Sequence, residues 1–333
     1  MMDRRTLLLG SVALATAGGL SPVVAQTPAT PFKVGAVKFG SLNWLMETIK
    51  SEGIDTKLGL ELAAVELSNN QAGPISLLSG GSDLIVSDWP WALRQRGMGE
   101  ALKFAPYSST LGGVVVPASS TIKTLTDLEG RRIGVAGSGI DKSWLLLQAY
   151  SRKKLNFDIA TKATVQFGAA PLLSEQVRDG SLDAVLNFWT QNVRLSTLGF
   201  RQVIGMKGVL SELAIDPIPA FVGFIWKEQT QAAKEPQLLA FLKAVEQANA
   251  LLAGSDAKAD AAWDRIKPLM KAASDEEAKA LRAAYTSGIS APWTSADMKS
   301  ADKIISLLID AGDTEFVGAG TKFDPKLFHV AHA

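Results

Sequence analysis

One pattern occurs twice in this chain, a hundred residues apart, and it constrains the fold more than any other feature. Leu77 to Trp91 reads LLSGGSDLIVSDWPW, and Val177 to Gln191 reads VRDGSLDAVLNFWTQ. Laying Asp83 on Asp183 places Leu84-Ile85-Val86 on Ala184-Val185-Leu186, Ser87 on Asn187 and Trp89 on Trp189. Each copy runs from a Gly-containing turn through an Asp and a short apolar run to a small polar residue and a Trp. An apolar run this short between turn signals reads as a strand buried on both faces, as in parallel sheets. Ligands of open α/β sheets sit beyond the carboxyl ends of the strands. Ser87-Asp88-Trp89 and Asn187-Phe188-Trp189 are therefore candidate walls, and one unit per half implies two similar lobes facing across a cleft. The competing reading makes both copies ordinary strand and helix units of a single sheet.

The chain of 333 residues is long enough for two domains. Its amino terminus reads as an export signal. Arg4-Arg5 precede an uncharged run from Leu7 to Leu20, and Ser21 to Ala25 offers small residues for cleavage near Ala25. The run is too short to span a bilayer. The Arg pair fits either a twin-arginine or a general secretory signal, and a periplasmic protein starting near Gln26 is expected. Without residues 1–25, 32 basic residues face 32 acidic ones, which gives no electrostatic reason to expect nucleic acid as a partner.

Strands are expected at 32–37, 61–67, 84–86, 102–107, 112–117, 132–136, 164–167, 184–186, 200–204 and 220–226. Helical patterns fill 44–52, 142–154 and 171–179, and then nearly everything from Pro236 onward: 236–252, 257–270, 275–286 and 295–311. Ile122, Leu125 and Leu128 also stand at helical spacing. The strand at 112–117 is expected to leave the first lobe, and Asp216-Pro217-Ile218-Pro219 to cross back.

The chemistry available is narrow. There is no Cys, and the two His, His329 and His332, lie within five residues of the carboxyl terminus. Thiolate sites, cysteine nucleophiles and His-based catalysis are thereby disfavoured, and no catalytic residue, metal site or cofactor is assigned. The best anion site is Gly137-Ser138-Gly139-Ile140-Asp141-Lys142-Ser143, a Gly-rich turn opening a helix, with Lys142 supplying charge. Its spacing is not that of a P-loop. Of eight Trp residues, Trp44, Trp89, Trp91, Trp144 and Trp189 fall at or just beyond expected strand ends, where flat side chains suit a small ligand with an apolar portion.

Several segments resemble the nitrate/sulfonate/taurine-type solute-binding proteins of bacterial ABC importers. They are Val34-Gly35 with its following loop, SGGSDLIVS (79–87), TLTDLEGRRIGVAGSG (124–139), VRDGSLDAVLNFW (177–189) and FVGFIWKEQTQAAKEPQLLAFLKA (221–244). The resemblance implies an α/β, type II periplasmic-binding-protein fold of two lobes, each a mostly parallel sheet flanked by helices, with a helical carboxyl-terminal region. Lobe 1 would comprise 32–116 and 217–333, and lobe 2 residues 117–216, joined by two crossings. Together the two readings give a ligand site of Phe39, Ser41, Asn43, Trp44, Ser87, Asp88, Trp89, Ser138, Gly139, Lys142, Trp144, Asn187 and Trp189. A monomer is expected, capturing a small organic solute and passing it to a membrane permease and its ATPase. An organic sulfonate or similar anion is favoured, with a pyrimidine-like heterocycle or a metal species as alternatives. Asp88 would disfavour a sulfonate unless paired, for instance with Lys142. Pyrimidine-binding relatives in the same superfamily include eukaryotic enzymes using His and a Cys-rich motif, whereas this chain has neither Cys nor an internal His. A different class of reading is an exported enzyme or a non-transport accessory protein on the same scaffold.

Overall fold

In the computed structural model the two copies of the repeat are superposable in role down to single hydrogen bonds. The structure describes residues 30–38, 40–311 and 321–329, so Phe39, His332 and the expected export signal at 1–25 lie outside the described residues. The Asp83 carboxylate accepts from Lys33 N at 2.8 Å while Asp83 N donates to Lys33 O. The Asp183 carboxylate accepts from Arg132 N at 2.8 Å while Asp183 N donates to Arg132 O. Each Asp thus fixes the register of its strand against a parallel neighbour, β3 against β1 and β8 against β6.

The first half runs β1 (Phe32–Val37), α1 (Leu42–Ser51), α2 (Ile54–Lys57), β2 (Leu62–Leu67), α3 (Ala72–Leu78), β3 (Leu84–Asp88), α4 (Trp89–Gly97) and β4 (Leu102–Ser108). The second runs β5 (Gly113–Val116), β6 (Arg132–Ala136), α5 (Lys142–Leu155), α6 (Ile159–Lys162), β7 (Thr164–Gly168), α7 (Ala170–Arg178), β8 (Ala184–Asn187), α8 (Trp189–Thr197), β9 (Arg201–Gly205) and α9 (Met206–Glu212). Then come β10 (Val222–Lys227), α10 (Glu228–Leu252), α11 (Ala257–Met270), α12 (Asp275–Ser287) and α13 (Ser295–Ala311).

The strands form two five-stranded sheets, ordered β2-β1-β3-β10-β4 and β7-β6-β8-β5-β9. In each sheet four strands run one way, and the fourth in order, β10 or β5, runs against its neighbours. The sheets are the cores of two lobes flanked by helices, as the repeat required.

Two expectations about the lobe boundary are corrected. Gly113–Val116 does not end the first sheet: it lies inside the second, antiparallel to both β8 and β9. All four of its residues are buried, which suits an interior strand rather than an outgoing crossing. The chain therefore changes lobe at 109–112, where Gly112 passes so close to β8 that an added Cβ would collide with the Asn187 carbonyl. The second correction concerns α13, which packs on α5 of the second lobe rather than on the first. Its Ala301, Ile304, Ile305 and Leu308 are buried in one cluster with Leu145, Leu146, Val209 and Leu210. Lys303 Nζ donates to Ala214 O at 2.7 Å, adding a polar tie to the same lobe.

Other departures are local. Ile122, Leu125 and Leu128 are buried, but only Leu125–Leu128 makes a single 3₁₀ turn. α10 starts at Glu228, earlier than Pro236, and breaks at Lys234 (φ −136°, ψ 33°) just ahead of that proline, whose ring cannot continue the ladder. The broken turn aims Lys234 Nζ at Asp83, 2.8 Å away. No helix among the described residues is long and apolar enough to cross a membrane.

Candidate functional site

The carboxyl ends of the sheets bring together residues from both lobes. From the first lobe, α1 begins at Ser41 and places Trp44 in its first turn, 1% exposed. From the second, α8 begins at Trp189, half-buried. The two indoles meet edge to face, centroids 6.1 Å apart. Trp44 also contacts Trp263 and Tyr285, and its indole N–H is buried without a partner. Beside it, a line of hydroxyls runs inward. Ser41 Oγ lies 3.4 Å from the Tyr107 hydroxyl, and Tyr285 Oη donates to Asn249 Oδ1 at 3.0 Å. Burial pushes both phenols above the ordinary tyrosine range, so they stay protonated donors.

A charged group bridges the same boundary. Asp88 caps α4, accepting from Trp91 N, and its other carboxylate oxygen lies 3.4 Å from Lys142 Nζ of the second lobe. Lys142 also approaches Asp141 at 4.0 Å. Burial pulls the Lys142 ammonium down, but the charges of Asp88 and then Asp141 outweigh it and hold the group above its ordinary range. Burial pushes the Asp141 carboxyl up, with Lys142 opposing and Asp88 reinforcing the rise. Arg94 feels Asp88 from the other side, although burial lowers its guanidinium overall. The group is thus a paired charge cluster rather than a bare cation.

The Gly-rich turn leaves Ser138 and Gly139 exposed. Its helix amino terminus, however, is already filled: the Asp141 carboxylate accepts from Ser143 N at 2.8 Å. A carboxylate of the chain itself therefore occupies the position where an external anion would use those N–H groups.

The remaining expected residues divide between rim and core. Ser87 is half-buried on β3, opposite Gly223. Asn43 turns its amide onto Val37 O at 2.7 Å and Lys38 O at 3.1 Å, pinning the loop after β1. Asn187 is 3% exposed and donates to Ala170 O and Ser174 Oγ. Trp89 is fully buried and stacks on Phe221, 5.4 Å between centroids. Trp144, 3% exposed, meets Phe167 edge to face. Two pairs thus meet across the lobe boundary, Trp44 with Trp189 and Asp88 with Lys142, while Asn43, Trp89, Trp144 and Asn187 are held within the surrounding structure.

Sequence reasoning missed a second link between the lobes. Arg194 on α8 reaches the carboxyl end of α11, donating to Met270 O at 2.6 Å and Lys271 O at 3.0 Å, and pairs with Glu277 of α12. α11 and α12 carry part of the first lobe's core, so this pair joins the lobes. The signal was an arginine five residues past Trp189, legible only once α8 is known to be a helix.

A family profile described as NMT1/THI5 like matches residues 56–259. A protein of Haemophilus influenzae named as a thiamine biosynthesis protein is 26% identical over 221 residues, 66% of this chain and 68% of its own length. Among solved structures, the alkanesulfonate-binding protein SsuA of Xanthomonas axonopodis pv. citri, bound to MOPS, matches with a TM-score of 0.70 at 16% identity, over 92% of this chain and 99% of its own. The periplasmic aliphatic sulphonate binding protein SsuA of Escherichia coli matches with a TM-score of 0.69 at 14% identity, over 89% and 97%.

Proposed function

This chain belongs to the NMT1/THI5-like family, and from that premise we propose that it is an exported binding component of an ABC importer that captures a small organic solute between its lobes. The observation that carries the reading is the meeting of Trp44 with Trp189 and of Asp88 with Lys142 across the lobe boundary. A solute seated there touches both lobes, so its binding energy is available only in the closed form and shifts the population toward it. On this reading Ser41, Ser87, Ser138 and Gly139 belong to the rim, and the closed protein is handed to a permease. The two solved structures named above are sulfonate-binding proteins, which supports the binding reading.

The charge cluster favours a solute that carries N–H donors over a sulfonate. Lys142 is already shared by two carboxylates and the α5 amino terminus is capped by Asp141, so a sulfonate would have to displace one of them. A nitrogen heterocycle could instead donate to Asp88 or Asp141 and lie against Trp189. The name of the Haemophilus influenzae relative agrees with this class. The sulfonate reading is kept because both solved neighbours bind sulfonates by name.

Isothermal titration of the chain from Gln26 onward with aminopyrimidines, alkanesulfonates and taurine tests the reading. Saturable binding of one class, weakened at least tenfold in Asp88→Ala, is expected. Absence of binding across the panel, or binding indifferent to Asp88 and Trp189, would overturn it.

A further inference from the structure

α13 is joined to the first lobe at both of its ends. On the amino side, Ile289 lies in an antiparallel bridge with Ser108 at the end of β4, Ser109 N donates to Gly288 O at 2.8 Å, and Trp293 packs on Phe104 and Trp89. On the carboxyl side, residues 321–329 run beside β4. There His329 N donates to Phe104 O at 2.8 Å, Lys103 Nζ to Lys326 O at 2.7 Å and Arg96 Nε to Asp324 Oδ2 at 2.7 Å. The two sides also meet each other, Phe328 stacking on Trp293 with centroids 4.5 Å apart. Both ends of the helix are thus buckled into one aromatic cluster with Trp89 and Phe104.

Between these anchors the helix lies on the other lobe. Ala301, Ile304, Ile305 and Leu308 are buried with Leu145, Leu146, Val209 and Leu210, and two polar ties flank that face, Lys303 to Ala214 O and Asp310 to Lys153 at 3.3 Å. The hold of α13 on the second lobe is therefore non-covalent, while the chain itself fastens it to the first. The remaining contacts between lobes lie elsewhere. Alternation along β5 turns Val114 and Val116 into the cluster under α13, and Val115 into a separate one with Leu195 of α8. α8 thus covers the opposite face of the second sheet, and from there Trp189 and Arg194 reach the first lobe.

We infer that α13 is an arm of the first lobe that clasps the second, so that release of the arm and separation of the lobes at α8 are one coupled event. An arm anchored at both ends on the first lobe cannot ride with the second as it turns about the crossings. Either its apolar face slides off α5 and bares Ile304, Ile305 and Leu308, or the stack of Trp293 on Phe328 is pulled apart. Both routes lose apolar burial away from the paired residues assigned to the solute. The arm therefore biases the lobes toward contact before any solute arrives, and solute affinity inherits that bias. The inference takes from the proposed function only that the lobes separate, and its test uses no solute.

Hydrogen exchange read by mass spectrometry tests the coupling in the parent, in Phe328→Ala, which opens the buckle, and in Lys153→Cys/Asp310→Cys. The parent has no Cys to compete, so a short bis-maleimide joins the two introduced thiols and locks the arm onto α5. The readout is amide exchange over α8, residues 189–197, which share no apolar cluster with α13. Bridging should slow that exchange, and Phe328→Ala quicken it, by about fivefold or more, because exchange there follows the population of separated lobes. Exchange over α8 unmoved by bridging would overturn the proposal. So would failure of the thiols to bridge, which would put the arm off the second lobe, or an effect of Phe328→Ala confined to α13 and β4. Should that variant fail to fold, as read by circular dichroism, the bridged protein decides alone. A chain that binds no solute in titration leaves these outcomes as they stand, so the two readings fail separately.

Discussion

Replacing Arg194 with Met keeps the aliphatic stem but removes the guanidinium that ties α8 to α11 and α12. The structure sets the size of the loss. Arg194 ends three interactions at once: the carbonyls of Met270 and Lys271 at the carboxyl end of α11, and the carboxylate of Glu277. The Glu277 side chain is 7% exposed and that of Arg194 25%, so the pair is neither fully buried nor a surface pair. Breaking a fully buried pair from one side costs about 3–5 kcal/mol, and partial exposure scales this to about 3 kcal/mol. Glu277→Gln should cost about 1–2 kcal/mol. The double variant should fall short of the sum by about 1–2 kcal/mol, because once the guanidinium is gone the carboxylate is better neutral. Urea denaturation of the four proteins at neutral pH measures the cycle. The same link should govern lobe separation, so small-angle scattering of solute-free Arg194→Met should give a larger radius of gyration than the parent. A variant within about 0.5 kcal/mol of the parent, or strictly additive losses, would refute the reasoning by showing the pair to be solvated in solution.

Trp89→Ala should destabilise by about 3–5 kcal/mol through a core cavity, whereas Trp189→Ala should lose only about 1 kcal/mol and act mainly on solute affinity. Equal losses in urea would put Trp89 on the surface. Lys142→Met leaves Asp88 and Asp141 facing each other and should cost about 2–3 kcal/mol at neutral pH. Because the folded protein holds Lys142 above its ordinary range, this advantage is fully present below the unfolded lysine pKa and is lost as pH rises through the higher folded value. Urea midpoints from pH 6 to 11 should therefore show a constant gap that closes only above about pH 10, and a gap that widens with pH would contradict the sign.

Much of the architecture was legible because it is encoded locally. The Gly turn, Asp and apolar run of each repeat specify a strand, and Asp83 and Asp183 do the same backbone work in both sheets. The helical stripes after Pro236 were equally plain. What the chain order concealed was sheet membership: Val114-Val115-Val116 reads as a buried strand in either lobe, and only its pairing with β8 and β9 decides. The destination of α13 was hidden for the same reason, since an apolar stripe does not name the surface it covers. Strand ends pointed to residues that meet in pairs across the lobe boundary, Trp44 with Trp189 and Asp88 with Lys142, but a half-buried Trp and a core Trp look alike in sequence, hence Trp89 and Trp144.

The exchange of strands between the halves has a consequence for how the protein can be made and divided. In the first sheet β4 has β10 as its strand partner, and β10 is reached only after the whole second lobe has been traversed. A chain emerging in order holds β1, β2 and β3 but must wait on the order of a hundred residues before β4 can be secured. Closing a loop of that length costs on the order of 4 kcal/mol of chain entropy before the pairing is formed. The first sheet is not contiguous in the chain: a cut between β4 and β5 parts β4 from β10, whereas β5 to β9, the strands of the second sheet, follow one another along the chain. A division of this protein into separately folding pieces has to carry β5 with the second sheet and return β10 to the first.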